Sequence, residues 1–157
     1  MSDNIVLVRI DDRLIHGQVM TGWVNYTKAT NIIIVDDQVA RDEFSLQMFE
    51  MVKPSGVEIA ALTVEEAQEK LKDEDYLKEK TIILCKTPRE PYELIKDGVS
   101  FDVLNVGGMG GKPGRQRYFR NIAISEEEME ILKEIEGKGV RVEFRILPDD
   151  NPRGLPK

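Results

Sequence analysis

The stretch Asn4-Ile5-Val6-Leu7-Val8-Arg9-Ile10-Asp11-Asp12-Arg13-Leu14-Ile15-His16-Gly17-Gln18 decides how the chain is read. Residues 5–10 are apolar and β-branched around one arginine, and they predict a strand. Residues 18–27 carry Val19, Trp23 and Tyr26 at helical spacing and predict a helix. The loop between them ends in His16, the single histidine of 157 residues. A histidine therefore stands where a strand gives way to a helix. In parallel α/β sheets that end of a strand is where ligands bind. Arg9 and Arg13 lie within seven residues of it. A neutral imidazole beside guanidinium groups at a helix N-terminus suits a phosphoryl group.

Outward from this stretch, strands and helices alternate. Apolar runs at 31–35, 57–62, 81–85, 101–106, 121–124 and 140–147 predict six more strands. The continuous run Asn31-Ile32-Ile33-Ile34-Val35 suits a strand covered on both faces. Helices are predicted at 42–52, where Phe44, Met48 and Met51 recur at helical spacing, from 63 to about 72, and at 89–96 and 125–138. Thr63 with Glu66 and Ser125 with Glu128 read as capping boxes. The tail, 148–157, holds three prolines and a glycine and is expected to be extended or mobile. The pattern predicts one α/β domain spanning 1–157. Its mostly parallel sheet has seven strands, with helices on both faces.

Composition narrows the function. With 41% hydrophobic and 32% charged residues the chain is of the soluble globular type. No apolar run approaches the roughly 18–20 residues of a membrane span. The lone Cys85 cannot form an internal disulfide, and no signal segment precedes the first strand, so a cytoplasmic protein is expected. A net charge of −7 disfavours nucleic acid as partner. Against that balance, residues 107–120 contain no acid and hold Lys112, Arg115, Arg117 and Arg120.

The loops after the strands gather at one sheet edge. There they bring together residues 11–16, Asp36 with Asp37, Lys86-Thr87-Pro88, and the glycine-rich loop 107–114. Nucleotide signatures fail in that loop. The phosphate-loop pattern needs glycine at 106, which is valine, and G-x-G-x-x-G from Gly108 needs glycine at 113, which is proline. Cys85 lacks the arginine six residues on that a cysteine phosphotransferase requires, and reads as core. One histidine and one cysteine give no metal-ligand spacing, so neither metal nor cofactor is expected. The acidic pair 36–37 resembles that of a receiver domain, but it follows the second strand rather than the first, and Ala60-Ala61-Leu62-Thr63 offers no acceptor aspartate.

His16 itself invites nucleophilic chemistry towards phosphorus. Free N–H groups at the helix start favour an anion and disfavour imidazolium. Arg9 and Arg13 are expected to neutralise phosphoryl oxygens. Asp11 or Asp12 is expected to accept the other ring N–H and set the tautomer. The loop offers no serine or cysteine nucleophile for a hydrolase.

Residues 9–19, Arg-Ile-Asp-Asp-Arg-Leu-Ile-His-Gly-Gln-Val, with Trp23 four residues on, resemble the phosphorylation-site signature of one family: the IIB components of the mannose–fructose–sorbose class of bacterial sugar phosphotransferase systems. Looser likeness extends through Lys86-Thr87-Pro88, Asn105-Val106-Gly107-Gly108-Met109 and the strand region after Gly139. The chain departs from many relatives in carrying Gly110 where they have a histidine, which leaves His16 as the sole candidate phosphohistidine. The resemblance implies that His16 accepts phosphoryl from a phosphohistidine on a IIA partner, through its δ nitrogen. It then passes the group to a sugar delivered by membrane IIC and IID components. It implies a transferase held at the membrane only through those partners, and leaves homo-oligomerisation open. Gly17, Lys86, Thr87, Gly107, Gly108, Lys112, Arg115 and Arg117 are expected around the phosphoryl group or against the acidic rim of a partner. The rival reading is a receiver-like regulatory or small-ligand-binding α/β module without histidine transfer.

Overall fold

In the computed structural model, which describes residues 4–156, the first strand lies in the interior of a six-stranded parallel sheet. Residues 1–3 and 157, the two ends of the predicted domain, lie outside the described residues. In chain order the elements are β1 (Ile5–Asp11), α1 (Gly17–Thr27), β2 (Asn31–Val35), α2 (Asp37–Ala40), α3 (Glu43–Val52), β3 (Glu58–Leu62) and α4 (Val64–Lys70). They continue with β4 (Thr81–Cys85), α5 (Arg89–Lys96), β5 (Val103–Gly108), β6 (Gln116–Phe119), β7 (Ile122–Ile124), α6 (Glu126–Gly137) and β8 (Arg141–Phe144). The sheet order is β3-β2-β4-β1-β5-β8, and β6 and β7 form a separate antiparallel pair.

The uninterrupted apolar strands are explained by two cores, one on each face. Ile32, Ile34, Ile82 and Leu84 pack with Met20, Trp23 and Val24 of α1 and Val39 of α2. Their neighbours Ile33, Val35, Ile83 and Cys85 pack with Ala67, Leu94, Leu132 and Ile135 of α4, α5 and α6. From β1 the chain crosses towards β2 over the first face; from β5 it returns towards β8 over the second. Adjacent strands whose connections leave in opposite directions open a crevice at their carboxyl ends, and β1 and β5 are such a pair.

Both predicted capping boxes form, at Thr63–Glu66 and Ser125–Glu128. Four readings change. Among the described residues the parallel sheet has six strands, and the predicted strand at 121–124 stands outside it as β7, paired with β6 across a turn at Arg120, whose φ is +49°. Gly107 and Gly108 belong to β5 rather than to a loop. The last strand stops at Phe144, and the tail beyond it is tied down: Phe144 and Arg153 exchange backbone hydrogen bonds of 2.7 and 3.0 Å, and the Tyr118 hydroxyl donates to the Gly154 carbonyl at 3.1 Å. Finally, the Phe44, Met48 and Met51 stripe that marks α3 as helical faces solvent; Phe49 is the α3 residue packed on the core.

Candidate active site

Arg9 and Asp11 alternate with Val8 and Ile10 along β1, so both project to the side of the sheet covered by α1. Both are completely buried. The Arg9 guanidinium donates through Nη1 to Asn105 Oδ1 at 2.6 Å and to the Arg145 carbonyl at 3.1 Å, and through Nη2 to Asp11 Oδ2 at 3.2 Å. The Trp23 ring of α1 covers it, with the Arg9 Cζ 5.4 Å from the ring centroid. Burial pushes the guanidinium pKa down, and the Asp11 charge works against that shift.

Asp11 gathers the loop that follows. Its Oδ2 lies 2.7 Å from His16 Nε2, and its Oδ1 accepts from the Arg13 backbone N–H at 3.1 Å. Leu14, buried and at φ +58°, turns the chain so that it closes back on Asp11, with the Leu14 N–H donating to the Asp11 carbonyl at 2.9 Å. This non-glycine residue in the left-handed region is held there by its buried side chain. His16 is the N-cap residue of α1, and its side chain makes no capping hydrogen bond. Gly17 follows at φ +41°.

Of the two candidate aspartates, Asp11 bonds the ring. Asp12 turns instead to the neighbouring strand end, where its Oδ2 accepts the Gly110 N–H at 2.7 Å. A carboxylate that accepts from Nε2–H leaves Nδ1 as the unprotonated nitrogen; this tautomer is assigned from the hydrogen-bond network.

The remaining predicted residues divide. Arg13 is solvent-facing, its side chain 56% exposed, with Nε 3.7 Å from Asp11 Oδ1. Lys112 and Arg117 are exposed on the segment that follows β5. Arg115, expected at the phosphoryl group or at a partner, is instead an internal tie. Its side chain is 4% exposed, pairs with both Glu128 oxygens at 2.9 and 2.8 Å, and donates to the Gly110 carbonyl at 2.7 Å. Arg9, expected on the phosphoryl oxygens, is likewise turned inward onto Asp11 and Asn105. Thr87 is spent on Glu90, to which its N–H and hydroxyl donate at 3.0 and 2.9 Å, and Lys86 Nζ lies 4.0 Å from Asp36. Gly107 and Gly108 are buried beside Arg9 and Asp11, not exposed to a ligand. The 36–37 pair has a structural use: Asp36 caps α2 and Asp37 accepts the Val64 N–H at 2.9 Å.

Trp23 and Cys85 are core residues, as their sequence context suggests. The Trp23 indole N–H is satisfied by the Ile146 carbonyl at 2.9 Å. Asn105, Glu128 and Arg145 belong to the site's frame and were not singled out from the sequence as such. Asn105 shows in the sequence only as an amide within an apolar strand and as the first residue of the Asn105–Met109 run.

The site is thus an aspartate-held histidine at the β1/β5 crevice of a parallel α/β sheet. Residues 5–157 match the family model for the sorbose subfamily IIB component of the phosphotransferase system. The chain is 35% identical to a fructose-specific EIIB component of Bacillus subtilis, over 94% of this chain and 90% of that protein. It is 33% identical to the mannose-specific EIIAB component of Escherichia coli, over 93% of this chain and 45% of that longer protein. Among solved structures, the IIB domain of the sorbose permease from Klebsiella pneumoniae superposes with a TM-score of 0.90 at 30% identity, covering 96% of this chain and 92% of that one. The N-acetylgalactosamine-specific IIB component 1 of Escherichia coli gives 0.91 at 27%, covering 97% and 99%. The chain belongs to the sorbose-subfamily IIB components of the sugar phosphotransferase system. Among the described residues no helix is long and apolar enough to cross a membrane.

Proposed function

We propose that this chain, as one IIB domain spanning 1–157, is a phosphocarrier that takes a phosphoryl group onto His16 Nδ1 from a phosphohistidine of a IIA partner. It then gives the group to a sugar presented by membrane IIC and IID components. The observation that carries this reading is the 2.7 Å contact between Asp11 Oδ2 and His16 Nε2. It keeps the proton on Nε2, so that the Nδ1 lone pair attacks phosphorus while the donor's P–N bond breaks and its electron pair returns to the donor ring. The cationic character that the His16 ring gains is met by the Asp11 carboxylate. In the second step a sugar hydroxyl oxygen bonds to phosphorus as the P–Nδ1 bond breaks, the electron pair of that bond returns to His16, and the hydroxyl proton passes to water.

The other residues take graded roles. Arg13, at the surface beside Asp11, supplies charge to the phosphoryl oxygens, together with the open N–H groups at the start of α1. Arg9 acts through Asp11 rather than on the phosphoryl group. Lys112 and Arg117 meet an acidic partner rim, and Lys86 and Thr87, which follow the carboxyl end of β4, extend that surface. The mannose-specific relative is named as an EIIAB component, which supports a IIA protein as the donor. Such a domain works in the cytoplasm and reaches the membrane through its partners. Homo-oligomerisation is not required by this scheme.

The test is incubation with phosphoenolpyruvate, the general phosphotransferase proteins and a IIA protein. An acid-labile, base-stable phosphate that disappears in His16→Ala is expected. An acid-stable label, or one that persists in that variant, contradicts the reading.

A further inference from the structure

The Arg9–Asp11 pair lies flat against β5, and it can do so only because β5 has no side chains there. In the register of the two strands, Asp11 faces Gly108, and the ladder shifts between Ile10 and Asp11. A methyl group built on Gly108 falls 2.6 Å from Asp11 Oδ1 and 2.9 Å from its Cγ. One built on Gly107 overlaps the Arg9 guanidinium itself. Both neighbours are buried, so neither can swing into solvent to make room. Neither glycine is needed for backbone freedom, since neither is among the positive-φ glycines of the described residues. Two residues before this gap, Asn105 holds Arg9 from the same strand through its 2.6 Å hydrogen bond.

We infer that Gly107 and Gly108 are positioning residues for the phosphotransfer site: β5 is a socket whose missing side chains place Arg9 and Asp11, and through Asp11 the tautomer of His16. This rests on the role proposed above for His16, and it reassigns the two glycines from contact with phosphate or partner to contact with the Arg9–Asp11 pair. It also explains why a glycine pair stands inside a strand, where glycine is otherwise unfavourable.

The experiment uses Gly108→Ala in the full chain and reads the ring directly. Because His16 is the single histidine, one set of imidazole ¹⁵N signals reports its tautomer without any phosphotransfer partner. Wild type is expected to show Nε2–H with unprotonated Nδ1. Gly108→Ala is expected to lose that preference and to lose transfer from IIA by tenfold or more in kcat, with KM for IIA little changed. The same substitution in an Arg9→Met/Asp11→Ala background, where the obstructed carboxylate is gone, is expected to cause no further loss of stability. Retention of the Nε2–H tautomer and of transfer in Gly108→Ala overturns the inference. So does failure of the triple variant to fold where its Arg9→Met/Asp11→Ala parent folds, which would also decide the matter if Gly108→Ala alone does not fold. A wild type with the Nε2–H tautomer but no phosphorylation by IIA would instead remove the proposed function and leave the socket standing.

Discussion

Asp11 Oδ2 receives two donors at once, His16 Nε2 at 2.7 Å and Arg9 Nη2 at 3.2 Å. The carboxylate is fully buried, so both bonds act in a poorly screened environment. One oxygen thus ties the His16 ring to a charge in the interior of the sheet.

Asp11→Asn keeps the size of this group and removes its charge. By analogy with carboxylates that orient catalytic histidines, phosphorylation of His16 by IIA is expected to fall on the order of 10²–10⁴-fold. Rapid-quench measurement of labelled phosphate on the protein checks this. A loss of less than threefold would show that Asp11 does not set the ring.

Arg9 and Arg13 separate stability from chemistry. Arg9→Ala removes one partner of a buried pair and is expected to cost about 3–5 kcal/mol in urea unfolding. Arg13→Ala alters an exposed side chain and is expected to stay within about 0.5 kcal/mol of wild type. It should nevertheless slow transfer about 10²-fold, the usual cost of losing one charge donor to a transferring group. Equal stability losses for the two variants would contradict the assignment.

Arg115 should behave as an internal tie. A double-mutant cycle with Arg115→Ala and Glu128→Ala is expected to give a coupling of about 1–3 kcal/mol that changes little with salt. Burial works against ionisation of Glu128, but the hydrogen bonds from Arg115 and Ser125 prevail and hold its carboxyl below the usual range. With a folded value below the unfolded one, the stabilisation is complete above the ordinary carboxylate pKa and is lost as pH falls through the lowered folded value. Wild type should therefore lose more stability than Glu128→Gln over that acid interval, as measured by urea unfolding at stepped pH.

Lys112 and Arg117 are exposed, and their effect should be long-ranged. The double variant Lys112→Ala/Arg117→Ala is expected to slow association with IIA at low ionic strength and to converge on wild type as salt screens the charges. Stopped-flow association rates at two salt concentrations decide it. Unchanged rates at both would remove these residues from the partner surface.

The strands that carry the core were plain in the sequence, because a parallel sheet covered on both faces needs continuous apolar runs such as 31–35 and 81–85. The short strand β6, Gln-Arg-Tyr-Phe, was not. It has no apolar alternation, and its pairing depends on a turn at Arg120 and on the returning tail at Gly154. Phe44, Met48 and Met51 identify a helix by spacing, yet spacing alone cannot say which stripe meets the core, and Phe49 does so. At the site, the place of His16 was legible because it stands where β1 gives way to α1. The inward course of Arg9 and Arg115 was not, since it follows from the strand neighbours Asn105, Gly107 and Gly108 and from Glu128 at the start of α6, all distant in sequence.

The central claim is that Asp11 holds Nε2 and leaves Nδ1 to accept the phosphoryl group. The measurement that meets it most directly is ¹⁵N and ³¹P NMR of the phosphorylated chain, in which the single histidine gives one assignable ring. Phosphorus coupled to His16 Nδ1, with Nε2 still protonated, is the predicted result; phosphorus on Nε2 would contradict it.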